Sequence, residues 1–377
     1  MSNVAGDYPF SPEMPASVRF IVKELGSWQL SSRPCSGASP IRELHIEVTH
    51  RCDLKCRMCH HWRLRKREKE ISPAALARLL DASVHLREIK TAVLTGGEPL
   101  LRPDLPEIAA VITKRFPGIS LGILTNLSNT GLLFRRIEEC LRLGVSRLWL
   151  GSSLDGIGAI HDKVRRVRGA YSRTMKSARE LRAKYPGMNL AFNFTLLPFN
   201  AEGLVEAYLA AKKMNIWFGA QKVVNHAGFE AEKYSWNSKD LRAALSQIEW
   251  IITDICAENN AFEKLLAGRE RETPWLWSSL IYWIRLRDYM VRPQRFMGDC
   301  YAGRRYAMLS PDGELFFCPV RKHRTVGNTL KDGFDAVWTS RKAETERKNI
   351  AGARCHCWLH CTANPVIESA MMLRFAA

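Results

Sequence analysis

The sequence predicts an α/β fold built on a mostly parallel sheet, and three observations lead to that prediction. The chain has 377 residues, 46% of them hydrophobic, which is enough for one large domain with an appendage or for two domains. Short strand patterns alternate with amphipathic helix patterns through the first two-thirds of the chain. The strand patterns are mostly apolar on both faces, as in parallel strands that helices cover. Six such units in a row predict a sheet wound in one direction, as a partial barrel or as an open sheet.

The elements follow one another in a regular order. The strand patterns are LHIEVT (44–49), TAVLT (91–95), ISLGILT (119–125), RLWLGSS (147–153), NLAFNFT (189–195) and FGAQKVV (218–224). The first helix is predicted from Ser72, a good N-cap with Pro73 at the first helical position, to about Leu86. Further helices are predicted to begin near Asp104, Gly131, Tyr171 and Ala201.

The alternating pattern ends near residue 237, so residues 1–40 are taken as an N-terminal segment and 41–237 as the sheet domain. Residues 238–297 are predicted as a helical connector. Its stretch PWLWSSLIYWIRLRDYMVR is interpreted as an amphipathic helix packed on the sheet domain, and a membrane-surface or substrate-docking helix is the alternative. Residues 298–377 are rich in cysteine and turns, with SPDGEL as a hairpin signal, and are predicted to form a small second domain.

Composition narrows the classes of function. The net charge of +18 suits nucleic acid, anionic lipid or an acidic substrate, but no RNA-binding motif accompanies the basic groups, so we do not expect nucleic acid. No window holds 18 uninterrupted apolar residues, and the N-terminus lacks a secretory signal pattern, so the expected location is cytoplasmic. In such a chain, clustered thiols are more typical of metal ligands than of disulfides. Cys140 and Cys256 lie alone in helix patterns and are predicted to be inert core residues.

The stretch VTHRCDLKCRMCHHW places Cys52, Cys56 and Cys59 at C-x3-C-x2-C. A free thiol has a pKa of about 8.5, so a metal or a base is needed to keep these thiols deprotonated at neutral pH. Three kinds of site fit: tetrahedral zinc with His60 or His61 as fourth ligand, a redox thiol site, and a [4Fe–4S] cluster with one open iron. No second C-x2-C lies nearby, which weakens zinc, and an open iron explains why there are three thiols.

Unusual loops also follow the second, third and fourth strands, with the sequences GGEP, TN and SSLDG. Because the C-terminal ends of parallel strands lie at one edge of the sheet, all of them should open on the face that carries the thiol loop. Gly96 and Gly97 allow a close backbone approach, and Glu98 can accept a hydrogen bond from an ammonium group.

The C-x3-C-x2-C loop after a first strand, followed by GGEP (96–99) after the second, resembles the radical S-adenosylmethionine (radical SAM) superfamily over about residues 40–225. The resemblance implies a (β/α)6 partial TIM barrel. It also implies a [4Fe–4S] cluster on Cys52, Cys56 and Cys59, whose open iron would bind the amino and carboxylate groups of S-adenosylmethionine (SAM).

The same resemblance implies the remaining contacts to SAM. Glu98 in GGEP would accept a hydrogen bond from the methionyl ammonium. Ser153 and Asp155 match a fourth-strand signature in which the serine helps to hold SAM, and Arg165 matches an arginine that pairs with the SAM carboxylate. Asparagines at two further strand ends could meet adenosine or substrate. The expected cofactor-binding residues are Gly96, Gly97, Glu98, Pro99, Asn126, Ser153, Asp155, Arg165 and Asn193.

A second set of cysteines lies near the end of the chain. Cys300 and Cys318 form C-x12-G-x4-C, and Cys355, Cys357 and Cys361 follow in CHCWLHC. The arrangement resembles the SPASM and twitch extensions of radical enzymes, which bind auxiliary [4Fe–4S] clusters, although it has five cysteines where a full SPASM domain has seven. We expect one auxiliary cluster, with the first two cysteines and the last two as favoured ligands, Cys355 as a close alternative and structural zinc as the other hypothesis.

The resemblance implies an oxidoreductase or maturase that cleaves SAM reductively to a 5′-deoxyadenosyl radical, which abstracts hydrogen from the substrate. The expected reaction is oxidative modification of a peptide or of an anionic small molecule or lipid, although residues 1–40 are too short for a leader-binding domain. Expected partners are an electron donor such as flavodoxin or ferredoxin and the substrate, with membrane-surface contact as an option and no membrane span. The alternatives are a radical SAM RNA-modifying enzyme and a zinc-stabilised, non-enzymatic binding module.

Overall fold

The computed structural model describes residues 9–30, 39–63, 69–224, 234–298, 300–352 and 356–376. Within them, the strands are β1 Glu43–Thr49, β2 Thr91–Gly96, β3 Ser120–Leu124, β4 Leu148–Ser153, β5 Asn189–Leu196, β6 Trp217–Lys222, β7 Tyr306–Leu309, β8 Glu314–Phe316 and β9 Gly327–Asn328. The helices are α1 Ala16–Ser27, α2 Pro73–Ala82, α3 Leu105–Arg115, α4 Thr130–Arg142, α5 Ala159–Arg165, α6 Ala170–Lys184, α7 Leu204–Lys213, α8 Ser238–Glu258, α9 Ala261–Leu266, α10 Pro274–Val291, α11 Thr329–Asp332, α12 Phe334–Trp338, α13 Arg341–Gly352 and α14 His360–Ala376.

All six predicted strands are present, each within one or two residues of its predicted ends. β1 to β6 lie side by side in chain order, and every neighbouring pair among them is parallel. A parallel pair needs a crossover connection, and the helices α2 to α7 and their loops supply these crossovers. The predicted parallel α/β sheet is therefore confirmed.

The two faces of the sheet differ in character. In β1, Leu44 and Ile46 are buried in the main core, whereas His45 and Glu47 line a cavity on the inner face. This alternation follows from the two-residue period of a strand, and it makes β1 more polar on one face than the sequence pattern predicted. The inner face is thus the place where polar chemistry can occur.

The cysteine-rich end of the chain continues the same sheet. β7 pairs in parallel with β1, with Tyr306 opposite Glu43, and the antiparallel hairpin of β7 and β8 confirms the SPDGEL turn prediction. We predicted a separate small domain for this part of the chain, and its pairing with β1 was not anticipated. The sheet order is β6-β5-β4-β3-β2-β1-β7-β8-β9, so the thiol loop after β1 lies next to the C-terminal hairpin.

The helix α2 begins as predicted but ends four residues early. The Ser72 hydroxyl accepts a hydrogen bond from the Ala75 N–H at 3.2 Å, which confirms the N-cap. The predicted end near Leu86 is wrong, because Asp335 of α12 accepts hydrogen bonds from the Ser83 hydroxyl at 2.5 Å and the Val84 N–H at 2.8 Å. A long-range contact therefore stops the helix.

The tryptophan-rich helix α10 is packed inside the molecule, against α1, α8 and α14. Trp277 and Trp283 are buried, while Trp275 at its start is 61% exposed. The interpretation as a packed helix is confirmed, and the membrane-surface or docking alternative is wrong for α10, because the apolar side chains it would need are already buried. Among the described residues, no helix combines the length and the apolar character needed to cross a bilayer.

Candidate active site between two cysteine clusters

The loop after β1 turns its thiols inward. Cys56 is buried, Cys52 and Cys59 are partly buried, and their sulfurs are close enough to affect one another. Burial, reinforced by the charge of Cys56, raises the pKa of Cys52 to about 12 and that of Cys59 to about 11. Thiols in this environment become ligands when a metal centre stabilises the thiolates. Among the described residues no fourth thiol joins these three, which fits a cluster that keeps one open iron.

The GGEP turn is fastened to this loop by its backbone. The N–H of Gly97 donates to the Thr49 carbonyl at 2.8 Å, and the N–H of Glu98 donates to the Arg51 carbonyl at 2.8 Å. Gly96 has a φ of +124°, and a Cβ at this position would lie 2.2 Å from the Thr49 carbonyl oxygen. The close approach that we predicted for these glycines is thus made to the thiol loop itself. Pro99 follows and begins a short 3-10 turn.

The carboxylate of Glu98 is buried beneath the loops. It accepts hydrogen bonds from the Thr125 hydroxyl at 2.7 Å, the Asn126 N–H at 2.7 Å and the Leu100 N–H at 3.1 Å. Burial raises the pKa of Glu98 to about 7, although these donors act in the opposite direction. A carboxylate has about four acceptor positions, so one remains for an ammonium group.

Asp155 and Arg165 form a buried ion pair beside Cys56. Arg165 donates one hydrogen bond to Asp155 and another to the Cys56 sulfur at 3.5 Å, while the other Asp155 oxygen accepts from the Thr195 N–H at 2.8 Å. Burial opposes the charge on Arg165, but Asp155 and Cys56 raise its pKa above the ordinary value. Asp155 has no exposed surface, so it can affect a cofactor only through Arg165.

The other expected contacts lie around the same edge of the sheet. The Asn126 side chain donates to the Asp53 carboxylate at 2.7 Å, so the protein itself already uses this amide. Ser153 lies opposite Asn193 in the sheet register. The Asn193 Oδ1 is buried on the cavity wall and has no hydrogen-bond partner among the described residues, which suits a bound ligand that donates a hydrogen bond.

One cavity of about 720 Å³ fills the inner face of the sheet. Cys59 of the thiol loop lines one part of it, and Cys361 of the C-terminal cluster lines another. Gly96 and Asn193, two of the nine residues expected to hold SAM, also line it. The cavity is large enough for a cofactor or substrate group.

The C-terminal thiols also gather. Cys300, Cys318 and Cys357 line one small cavity of about 30 Å³. Burial raises the pKa of Cys361 well above its ordinary value, and the charges of Cys357 and Cys318 raise it further, which places Cys361 close to the same group. Four thiols in one place fit a cluster with every iron ligated by protein. Cys355, the alternative ligand, lies outside the described residues.

The remaining cysteines have different environments. Cys140 is fully buried in the main core and Cys256 is 4% exposed, which confirms them as core residues. None of the nine described cysteines forms a disulfide.

Sequence reasoning missed a buried polar cluster beside Cys59. Glu47 accepts from His50 at 3.0 Å and pairs with Lys322 at 2.5 Å, and His61 lies next to them on the cavity wall. Burial alone would raise the pKa of Glu47, but the hydrogen bond from His50 and the nearby positive charges lower it to about 2. Polar residues at alternate positions of LHIEVT were the signal that could have revealed this group.

Two family models match the chain in the predicted order. Residues 46–211 match the Radical SAM superfamily, and residues 300–362 match SPASM, an iron–sulfur cluster-binding domain. A PqqA peptide cyclase of Gluconobacter oxydans is 26% identical over 285 residues, covering 74% of this chain and 70% of that protein. A pre-heme d1 synthase of Dinoroseobacter shibae is 30% identical over 159 residues, covering 42% of this chain and 37% of that protein.

Solved structures share the fold at low sequence identity. SuiB of Streptococcus suis, bound to precursor peptide SuiA, has a TM-score of 0.55 and 14% identity, covering 92% of this chain and 74% of that one. Native anSMEcpe, with bound AdoMet and Kp18Cys peptide, has a TM-score of 0.58 and 14% identity, covering 89% of this chain and 98% of that one. The partial TIM barrel with a C-terminal cysteine-rich domain is therefore confirmed as the fold.

These matches set aside the non-enzymatic zinc module, because the relatives named above are enzymes. The radical SAM domain binds a [4Fe–4S] cluster and SAM, and the SPASM domain implies auxiliary iron–sulfur clusters. The chain is therefore an enzyme of the radical SAM superfamily that carries a C-terminal SPASM domain.

Proposed function

We propose that this enzyme modifies a peptide oxidatively, with SAM and an auxiliary cluster as its reactive groups. The observation that carries the proposal is the single cavity of about 720 Å³ that extends from Cys59 to Cys361. A substrate in this cavity would adjoin both thiol clusters at once. That arrangement suits a reaction that removes a hydrogen atom and also an electron from the substrate.

The residues divide into two ligand sets and a set of SAM contacts. Cys52, Cys56 and Cys59 would hold the first cluster, whose open iron would take the amino and carboxylate groups of SAM. Together the first cluster and SAM would supply the removal of a hydrogen atom from an unactivated C–H bond of the substrate. The C-terminal thiols would hold the second cluster, an electron acceptor for the oxidation; the ligands are Cys300, Cys318, Cys357 and Cys361.

The side chains around SAM would bind and orient it. The Glu98 carboxylate offers its remaining acceptor position to the methionyl ammonium, and the Arg165 guanidinium, held by Asp155, offers a fixed positive charge to the carboxylate. Oδ1 of Asn193 offers an acceptor on the cavity wall. Ser153 and residues Gly96 to Pro99 were also expected to bind SAM, and they remain part of the proposal.

The cavity would also limit which C–H bonds the reacting groups can reach. Much of its wall is apolar, with Val93, Leu124, Phe192 and Met308 among the lining residues. A wall that fits closely around the substrate matters here because a primary carbon radical can also react with other accessible C–H bonds, including those of the protein. The charged residues of the wall are Glu43, Glu47, Lys322 and Glu368, and Glu47 and Lys322 are paired with each other.

A peptide is favoured over the other expected substrates for two reasons. A curated relative that covers 74% of this chain is named a PqqA peptide cyclase, and both fold neighbours described above are structures with a bound peptide. The net charge of +18 suits an acidic peptide in particular. Anionic small molecules and lipid headgroups are negatively charged like an acidic peptide, so they are the competing substrates in the test.

The test begins with anaerobic reconstitution, addition of SAM and dithionite, and measurement of 5′-deoxyadenosine. Candidate peptides encoded beside the gene are then added, and mass spectrometry looks for loss of hydrogen atoms. Cys56→Ala should abolish both products, whereas Cys256→Ala, the same change in a core cysteine, should abolish neither. Cleavage of SAM that survives Cys56→Ala would refute the assignment. Modification of an RNA or of an anionic small molecule, with no peptide modified, would refute the choice of substrate.

A further inference from the structure

The outer side of the thiol loop is strongly basic. Exposed positions alternate with inward ones, as in a strand. The exposed residues are Arg51, Asp53, Lys55 and Arg57, and those between and beside them that point inward are Cys52, Leu54, Cys56 and Met58. The side of the loop that faces solvent is therefore separated from the thiols by the thickness of one backbone.

The C-terminal end of α5 extends this surface. The N–H of Arg57 donates to the Val164 carbonyl at 2.9 Å, and its Nε donates to the Lys163 carbonyl at 2.9 Å. Arg166 and Arg168 follow directly, and both are exposed. We call the exposed cations of the two segments the basic face; its members are Lys55, Arg57, Lys163, Arg166 and Arg168.

Within the part of the chain that the structure describes, the cations of the basic face have no close acidic partner. No carboxylate of the described residues lies within 4.0 Å of a side-chain nitrogen of any member. Two arginines elsewhere on the surface are paired: Arg51 contacts Glu70 at 3.1 Å, and Arg115 contacts Asp81 at 2.7 Å. Among the described residues, these five neighbouring cations form no close ion pairs and repel one another, so an anionic partner would lower that repulsion.

The aromatic rings at this surface are already covered. Lys163 lies 4.6 Å and Arg57 5.9 Å from the centre of the Phe199 ring, and Lys55 lies 5.5 Å from the centre of Trp62. Binding of single-stranded RNA depends on bare aromatic faces on which bases stack, and here cations occupy those faces. The surface therefore suits carboxylates of a folded protein better than unstacked bases.

We propose that the basic face docks an acidic one-electron carrier protein that reduces the cluster on Cys52, Cys56 and Cys59. The inference rests on the proposed function, because a cluster that must be reduced before each SAM cleavage needs such a carrier. Docking here places the redox group of the carrier across one backbone from the thiols. Complementary charge raises the rate of association, and added salt lowers it.

The test compares two double variants with the same change in charge. Lys163→Glu with Arg168→Glu alters the basic face, and Arg142→Glu with Lys213→Glu is the matched control. The control residues are exposed and end α4 and α7, so they lie at the opposite end of the barrel from the loops that follow the strands. Each reconstituted protein is mixed anaerobically with reduced flavodoxin, and loss of the visible cluster absorbance gives the rate; calorimetry gives the flavodoxin affinity.

At low ionic strength, the basic-face variant should be reduced by flavodoxin at least about tenfold more slowly than wild type, with weaker binding. The control variant should match wild type, and all three proteins should be reduced equally by dithionite. For wild type, the flavodoxin rate should fall between low and moderate salt.

Three results would overturn the docking proposal. One is an unchanged flavodoxin rate and affinity in the basic-face variant. Another is a wild-type rate that does not respond to salt. A third is a slowed dithionite reaction in the basic-face variant, which would mean that these residues affect the cluster and not the carrier. Binding of tRNA or of phosphatidylserine vesicles to this face, without binding of flavodoxin, would likewise replace it. Failure of the proposed function looks different, since wild type would then form no 5′-deoxyadenosine even with dithionite.

Discussion

Replacing Gly97 with alanine tests whether the GGEP turn and the thiol loop act as one unit. A Cβ at position 97 would lie 2.2 Å from the carbonyl oxygen of Arg51 and 2.8 Å from that of His50. The two backbones would have to separate by about 1.2 Å to reach 3.4 Å, where ordinary contact begins. Because Arg51 precedes Cys52 and bonds to the Glu98 N–H, this shift would move a cluster ligand away from the SAM contact.

The magnitude follows from that displacement. Overpacking of this kind costs about 1–3 kcal/mol in the free energy of unfolding. A misplacement of about 1 Å at reacting groups can lower a rate by about 10²-fold, so we expect a loss of that size in dithionite-driven formation of 5′-deoxyadenosine. Iron content after reconstitution should fall as well, because Cys52 moves with Arg51.

Gly187→Ala is the matched control for this variant. A Cβ at position 187 meets nothing within 4 Å, and the residue does not have a left-handed φ. Both variants are reconstituted in parallel, and iron, sulfide and the initial rate of SAM cleavage are measured. The reasoning is refuted if Gly97→Ala loads iron fully and cleaves SAM at the wild-type rate.

Three further predictions concern the ion pair, the pH dependence and the second cluster. Asp155→Ala should lower the free energy of unfolding by about 3–5 kcal/mol, because it leaves the buried Arg165 charge without its carboxylate. Adding Arg165→Met should recover most of that loss in denaturant titrations. Equal losses in the single and double variants would contradict the pairing. Because the pKa of Glu98 is raised to about 7, its carboxyl is largely protonated at pH 6 and cannot accept a hydrogen bond from SAM in the same way, so the Kd for SAM should be about eightfold higher at pH 6 than at pH 7.5. Calorimetry checks this, and a pH dependence that persists in Glu98→Gln would assign it to another group. Cys318→Ala should remove about four irons per chain while dithionite-driven SAM cleavage continues, and an unchanged iron content would exclude Cys318 as a ligand.

Local patterns explain why the first half of the fold could be predicted. The six parallel strands are short apolar runs between turn signals, and Ser72 followed by Pro73 marks the start of α2 without help from the rest of the chain. The thiol loop and GGEP are adjacent on neighbouring parallel strands, so their meeting follows from strand order alone. These features depend on contacts within a unit or between successive units.

Long-range contacts explain most of what the sequence did not reveal. The end of α2 is set by Asp335, about 250 positions away in the chain. The charge of Glu47 is balanced by Lys322, which is also distant in sequence. The parallel pairing of β7 with β1 likewise joins two segments that are far apart in the chain. No local pattern marks such pairs, because each partner looks like an ordinary polar or strand residue on its own.

The GGEP glycines show a different limit. Their sequence predicted a close backbone approach, and the approach exists, but its partner is the thiol loop. A glycine in such a turn indicates that there is no room for a side chain, but it does not indicate which part of the protein comes close. Asp155 is similar, since its position in SSLDG was visible while its burial beneath Arg165 was not.

The central claim is that Cys52, Cys56 and Cys59 hold an iron–sulfur cube with one iron open to SAM. Mössbauer spectroscopy of the anaerobically reconstituted protein, recorded before and after addition of SAM, tests this most directly. We expect SAM to change the parameters of one iron site of the cube and to leave the remaining sites as they were. A spectrum that SAM does not alter, or a protein that takes up no cube on these three thiols, would contradict it.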